Sequence, residues 1–283
     1  MKKQYEICRH EGMQSSYEDA SLVLLGVPFD GTVSNRPGTR FGPAGVRQEL
    51  DGLETYSPYL DKDLEDYAIS DIGDLMFPWG DTPKVMSLIE KEVTGLLADD
   101  KKVMLLGGEH LISFPAVSAY VKRYPDLQVI HFDAHADLRE HYLGEKLSHA
   151  TVMRRIYETL TNPVLYQLGI RSGTKEEFAF AKRATHFVPF TKEGITEMVR
   201  SIKDAPVYVS IDLDVLDPSI FPGTGTPEPG GVTFQELLAG IHGLQKARIV
   251  GADVVELSPH YDASGVSNVV AAKVVRELAL VMA

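Results

Sequence analysis

Eight short runs rich in β-branched and aromatic residues are spaced along the chain, and helical patterns separate many of them. The runs are Leu22 to Val27, Tyr67 to Ile72, Lys102 to Leu106, Val129 to Phe132, Val164 to Ile170, His186 to Pro189, Val207 to Ile211 and Ile249 to Glu256. Strands that alternate with helices call for a parallel sheet, because each crossover helix covers a sheet face. The expected fold is a three-layer α/β/α sandwich around a central, mainly parallel, eight-stranded sheet. Helix signals fit the gaps. Pro83 after Asp81-Thr82 marks a capped first turn that opens a helix running to Leu97, and Thr233-Phe234-Gln235-Glu236 has capping-box spacing. The stretch from Asn268 to Met282 reads as a last helix, apolar on most faces and hence well buried.

Composition narrows the function classes. The 283 residues are 44% hydrophobic with no linker or composition shift, so residues 1–283 read as one domain. A net charge of −12 argues against a nucleic-acid surface, which needs basic stripes, and suits a cationic small molecule only weakly. No 18-residue apolar run exists, so no membrane partner is expected. The start, Met1-Lys2-Lys3-Gln4-Tyr5-Glu6, lacks an apolar signal core, which makes a cytoplasmic location the expectation. One cysteine, Cys8, excludes an internal disulfide framework and thiolate metal cages.

Three of the runs end in side chains that bind metals. Lys102 to Leu106 leads into Gly107-Gly108-Glu109-His110, Val129 to Phe132 into Asp133-Ala134-His135-Ala136-Asp137, and Val207 to Ile211 into Asp212-Leu213-Asp214. Sites in open α/β sheets assemble at strand carboxyl ends, so these termini are expected to converge. In a straight strand Asp133 and Asp137 would lie about 13 Å apart, at roughly 3.3 Å per residue, too far for one compact site. The small Ala134 and Ala136 allow the chain to curl after Phe132 and fold the three side chains inward. The candidates are then two imidazoles, His110 and His135, and four carboxylates, Asp133, Asp137, Asp212 and Asp214. Four carboxylates in one pocket repel unless neutralised, and two divalent cations balance them. An oxygen-rich set with two imidazoles and no sulfur suits Mn²⁺ better than structural zinc, with zinc, iron(II) and cobalt left open. A pair of such cations activates water, so hydrolysis is the expected chemistry.

These three blocks resemble the metal motifs of the ureohydrolase family, which contains arginases and agmatinases. The third block extends the likeness through Val215-Leu216-Asp217-Pro218 to Pro222-Gly223-Thr224-Gly225-Thr226-Pro227-Glu228-Pro229-Gly230-Gly231, and the similarity runs from about Leu22 to the C-terminus. The resemblance implies an arginase-like fold and two Mn²⁺ ions per subunit. It assigns His110, Asp133, Asp137 and Asp212 to one ion and His135, Asp133, Asp212 and Asp214 to the other. Asp133 and Asp212 would bridge. It also implies that His149, in Ser148-His149-Ala150-Thr151, shuttles the proton and that Glu256, in Asp253-Val254-Val255-Glu256-Leu257-Ser258-Pro259, binds a guanidinium. Asp137 would orient the nucleophile. Homotrimers or homohexamers are common in the family.

Within the family, arginases carry an Asn two positions after the last Asp of the triad and then a hydroxyl-rich loop. Here Arg139 stands at that position and hydroxyls are nearly absent from Leu138 to Leu147. The stretch resembles bacterial agmatinases instead, as does Gly26-Val27-Pro28-Phe29-Asp30-Gly31. The implied substrate is the small cationic guanidino compound agmatine, with putrescine and urea as products. Glu140, Glu145 or another acidic group could meet a distal ammonium, although surface-loop solvation is the expected role of the first two. Arg139 and Lys146 would suit a guanidino acid. His141 is expected to be a loop residue and His131 a packed or hydrogen-bonded one.

Overall fold

The computed structural model describes residues 10–78 and 80–283; Cys8 and the first six residues lie outside them. Eight strands form one sheet: β1 (Leu22–Val27), β2 (Ile69–Asp74), β3 (Lys102–Gly107), β4 (Gln128–Phe132), β5 (Leu165–Leu168), β6 (His186–Val188), β7 (Pro206–Asp212) and β8 (Arg248–Val255). Their spatial order is β2-β1-β3-β8-β7-β4-β5-β6, and every pairing between these eight strands is parallel. All eight expected strands are present, with ends displaced by a few residues at most.

Parity explains the layering. Leu22, Leu24, Met104, Leu106, Ile130, Phe132, Val207, Val209 and Ile211 point to one face, which α1 (Gly42–Leu50), α6 (Lys192–Ile202), α7 (Phe234–Gly243) and α8 (Val266–Met282) cover. Their neighbours Leu25, Val103, Leu105, Val129 and Tyr208 point to the other, under α2 (Thr82–Ala98), α3 (Ser113–Arg123), α4 (Val152–Thr159) and α5 (Lys175–Ala184). A strand covered on both faces is apolar throughout rather than alternating, as the wholly buried β7 illustrates. Asp81 caps α2 by accepting from Lys84 N–H, and the Thr233 capping box opens α7.

One element escaped the sequence reading, a hairpin of Tyr56–Ser57 with Lys62–Asp63. Buried polar contacts hold it to α8: Ser57 Oγ donates to Glu277 at 2.8 Å, His242 Nε2 meets the same carboxylate at 2.8 Å, and Arg276 pairs with Glu277. No helix among the described residues is long and apolar enough to cross a membrane.

The register levels the strand ends that matter. Phe132 pairs with Ile211, Asp212 with Val255, and Val254 with Leu106. The residues just beyond β3, β8, β7 and β4 therefore sit along one edge, at the centre of the sheet.

Candidate active site

Each ligand-type side chain owes its direction to a local turn. Asp212 closes β7 and accepts from Asp214 N–H at 2.9 Å, which winds Leu213–Val215 into a 3-10 turn and brings both carboxylates to one side. Asp133 repeats the device: its Oδ1 accepts from His135 N–H at 2.5 Å. The chain curls as the small alanines suggested, with Ala134 N–H held by Asp214 Oδ1 at 3.1 Å and Ala136 N–H by Ser172 O at 3.0 Å. Asp137 and Glu256 have left-handed φ values of 53° and 68°, a cost of order 1 kcal/mol or more that is typical of functional positions.

The result is a compact cluster. His110 Nδ1 lies 3.2 Å from Asp133 Oδ2, 3.2 Å from Asp137 Oδ2 and 3.2 Å from Asp212 Oδ2. His135 Nδ1 lies 3.0 Å from Asp214 Oδ2 and 3.5 Å from Asp133 Oδ1. Asp133 thus points one oxygen at each imidazole, whereas Asp212 points Oδ2 at His110 and commits Oδ1 to the Asp214 amide.

The cluster fits divalent cations. His110 Nδ1 is buried without a hydrogen-bond partner, yet three carboxylate oxygens surround it. Donors at right angles on a cation with bonds of about 2.1 Å stand about 3 Å apart, which matches these spacings. Burial, reinforced by Asp214 and Asp133, pushes the Asp212 carboxyl well above its usual range. Asp133 goes the other way: despite burial, His131, His110 and His135 hold its carboxyl well below the usual range. Bound positive charge relieves the repulsion among these acids.

A second layer orients the imidazoles. His110 Nε2 meets Ser210 Oγ at 2.9 Å, and that hydroxyl donates to Asp253 Oδ1 at 2.7 Å, all with less than 2% exposure. Nε2 therefore carries the proton and Nδ1 is the available donor atom. His131 Nε2 contacts Asp133 Oδ2 at 2.7 Å while its Nδ1 meets Gln167 at 3.1 Å, so His131 holds a carboxylate, as expected of a hydrogen-bonded strand residue. Ser210 and Asp253 lie inside the motif stretches 210–218 and 253–259, yet the sequence assigned neither of them a role.

A cavity of about 290 Å³ opens over the cluster and exposes His110, His135, Asp137 and Asp212 together with His149 and Glu256. Glu256 Oε1 accepts from His110 N–H at 2.7 Å, which anchors the carboxylate beside the cluster. Burial, then the charge of Glu109, pushes the Glu256 carboxyl well up, so an arriving cation favours its ionised form. His149 stands across the cavity, and burial lowers its pKa below the usual imidazole value against the pull of Asp137. All eight site residues read from the sequence come together here.

The loop after the triad matches the expectation. Glu140 and Glu145 are exposed and do not line this cavity, nor does His141, which is an exposed loop residue. The rest of the lining includes Ser34, Arg139, Tyr142, Thr174, Glu177 and Thr226. Glu177, in the capping box of α5, accepts from Leu138 N–H at 2.9 Å and Thr174 N–H at 2.8 Å and faces Arg139 Nε at 3.4 Å. The Arg139 guanidinium lies 4.6 Å over the Tyr142 ring.

The Arginase family model matches residues 20–281. An agmatinase from Bacillus cereus is 48% identical over 269 residues, covering 94% of this chain and 93% of its own length. An N(1)-aminopropylagmatine ureohydrolase from Thermococcus kodakarensis is 40% identical over 261 residues, 90% of this chain and 88% of that protein. The crystal structure of a candidate agmatinase from Clostridium difficile has a TM-score of 0.91 and 49% identity, covering 94% of this chain and 98% of the other. The family model and these relatives each match about nine-tenths of the residues, and the chain belongs to the arginase family of ureohydrolases.

Proposed function

We propose that this chain is an agmatinase that uses two Mn²⁺ ions to hydrolyse agmatine to urea and putrescine, a step of polyamine synthesis. The observation that carries the reading is the Glu256 carboxylate, held by the His110 amide in the same cavity as the His/Asp cluster. The substrate choice is supported by the agmatinase name of the Bacillus cereus relative. His110, Asp133, Asp137 and Asp212 would hold one ion, and Asp133, His135, Asp214 and Asp212 the other. When bound, the two ions supply an activated water and stabilise developing negative charge.

The chain's own groups do the rest. Glu256 accepts hydrogen bonds from the planar guanidinium and fixes its carbon above the cluster. Asp137 accepts a hydrogen bond from the attacking water and so orients it. His149 delivers a proton to the departing amine as the carbon–nitrogen bond breaks, since an unprotonated amide anion is a poor leaving group. Glu177 lines the same cavity, but its oxygens are already held by the Leu138 and Thr174 amides and by Arg139. The reading takes the chain as one catalytic domain acting in the cytoplasm as a homotrimer or homohexamer.

The name of the Thermococcus kodakarensis relative favours a second reading, N(1)-aminopropylagmatine hydrolysis. Urea release after Mn²⁺ loading, measured on agmatine, aminopropylagmatine, guanidinobutyrate and arginine, separates the two. Faster turnover of any compound other than agmatine would overturn the agmatinase assignment.

A further inference from the structure

The loop that follows β1 reaches the site by lying on the end of β3. Gly108 N–H donates to Val27 O at 3.0 Å and Glu109 N–H to Phe29 O at 2.7 Å. A Cβ at Gly108 would stand 1.9 Å from Phe29 O, so only glycine lets the two backbones approach this closely. The contact seats the fully buried Glu109 carboxylate under Thr32. Thr32 N–H donates to Glu109 Oε2 at 2.9 Å, and the Thr32 hydroxyl donates to Oε1.

That arrangement has a directional effect. Burial pushes the Glu109 carboxyl up to about 7 against the pull of the Thr32 and Val33 donors; in its ionised form it offers only acceptor sites, so the hydroxyl proton of Thr32 is committed to Glu109 and Oγ1 faces other groups as an acceptor. The other group is His149. Its backbone N–H donates to Thr32 Oγ1 at 3.1 Å, and its ring Nδ1 lies 3.5 Å from the same oxygen. An Nδ1–H would point at a lone pair, whereas a bare Nδ1 would face one. The edge of the His149 ring meets Tyr142 with 5.5 Å between centroids, which limits its tilt, and Nε2 lies 3.3 Å from Ser34 Oγ on the cavity wall.

We propose that Thr32, oriented by Glu109, is a positioning residue that holds His149 in the Nδ1–H tautomer and so makes Nε2 the nitrogen that exchanges a proton with the substrate. This rests on the reading of His149 as proton donor to the leaving amine. The doubly protonated ring gives its Nε2 proton to the amine nitrogen as the carbon–nitrogen bond breaks, which leaves the neutral Nδ1–H tautomer, and Nε2 takes up a proton from water before the next turnover while the ring keeps Nδ1–H throughout.

The test uses full-length Mn²⁺-loaded enzyme with Thr32→Val, Thr32→Ala, Thr32→Ser, His149→Ala and the Thr32→Val/His149→Ala double variant, with agmatine as substrate. Thr32→Val is expected to lower kcat by about tenfold or more with KM and metal content unchanged, and because it also strips a donor from the buried Glu109 carboxylate it lowers the melting temperature, so rates are read well below that temperature. Thr32→Ala repeats the deletion without adding a methyl group, and Thr32→Ser recovers most of the lost rate. A residue that acts through His149 has nothing left to position once the ring is gone, so Thr32→Val costs nothing further in the His149→Ala background. Undiminished kcat in both deletion variants, or a Thr32→Val loss equally large with and without His149, would overturn the inference. Wild-type kcat in His149→Ala would sink the proton-donor reading instead.

Discussion

Replacing Ser210 by alanine tests whether the buried layer behind the cluster sets metal affinity. Its hydroxyl is the link between His110 Nε2 at 2.9 Å and Asp253 Oδ1 at 2.7 Å, while Asp253 Oδ2 keeps the Tyr208 hydroxyl at 2.8 Å. Alanine leaves one imidazole N–H and one carboxylate oxygen without that partner in a region closed to solvent. At about 1 to 3 kcal/mol for each buried group, partly relieved by relaxation, the metal-free protein should lose about 2 to 4 kcal/mol. With Nε2–H no longer held, the tautomer that offers Nδ1 to the cluster is less favoured, and affinity should fall about 10- to 100-fold. Urea unfolding in the presence of a chelator reads the first number, and calorimetric Mn²⁺ titration the second. Saturating Mn²⁺ should restore most of the turnover, because no substrate-facing group has changed. Wild-type affinity together with a wild-type unfolding midpoint would refute the orienting role of Ser210.

Asp133→Asn should abolish urea release while far-UV circular dichroism stays native, since one carboxylate oxygen faces each imidazole at 3.2 and 3.5 Å; retained turnover would remove the dinuclear reading. Gly108→Ala should detach the loop after β1 from β3, lowering both stability and kcat, because the clash is with the backbone oxygen of Phe29 rather than with a movable side chain. Burial raises the Glu277 carboxyl, but His242, Arg276 and Ser57 outweigh it and hold the group down at about 2. The ionised form then contributes stability that is complete above about pH 4.5 and lost as pH falls toward 2. The stability gap between wild type and Glu277→Gln, followed by denaturant titration, should narrow across that window; a gap independent of pH contradicts the ion-pair account.

The parts of the fold that were legible are those with a period or a cap. Apolar runs such as Val207 to Ile211 announce a strand buried on both faces, and Thr233 with Glu236 announces a helix start. The two-residue strands Tyr56–Ser57 and Lys62–Asp63 are too short to carry a pattern, and their anchor, Ser57 to Glu277, spans 220 residues of sequence. In the site, motif residues were legible because they are sequential at strand ends. Ser210 and Asp253 were not, because a polar residue inside a strand shows its purpose only when the neighbouring strand is known. Glu177 was hidden for another reason: as the third residue of a capping box it has a sufficient local explanation. The acidic residues nearest the triad in sequence, Glu140 and Glu145, project outward instead.

The strand order carries a temporal consequence. β8, formed by Arg248–Val255, fills the middle of the sheet between β3 and β7, although it is the last strand to leave the ribosome. Until it inserts, β3 and β7 have no shared neighbour, and His110 stands apart from the aspartates that later surround it. Such long-range pairing closes late in folding. A chain lacking β8 still brings Asp133, His135 and Asp214 together, because β4 and β7 pair directly, but it lacks the neighbour that sets His110 beside them, so completion of the cluster waits on the last strand of the sheet.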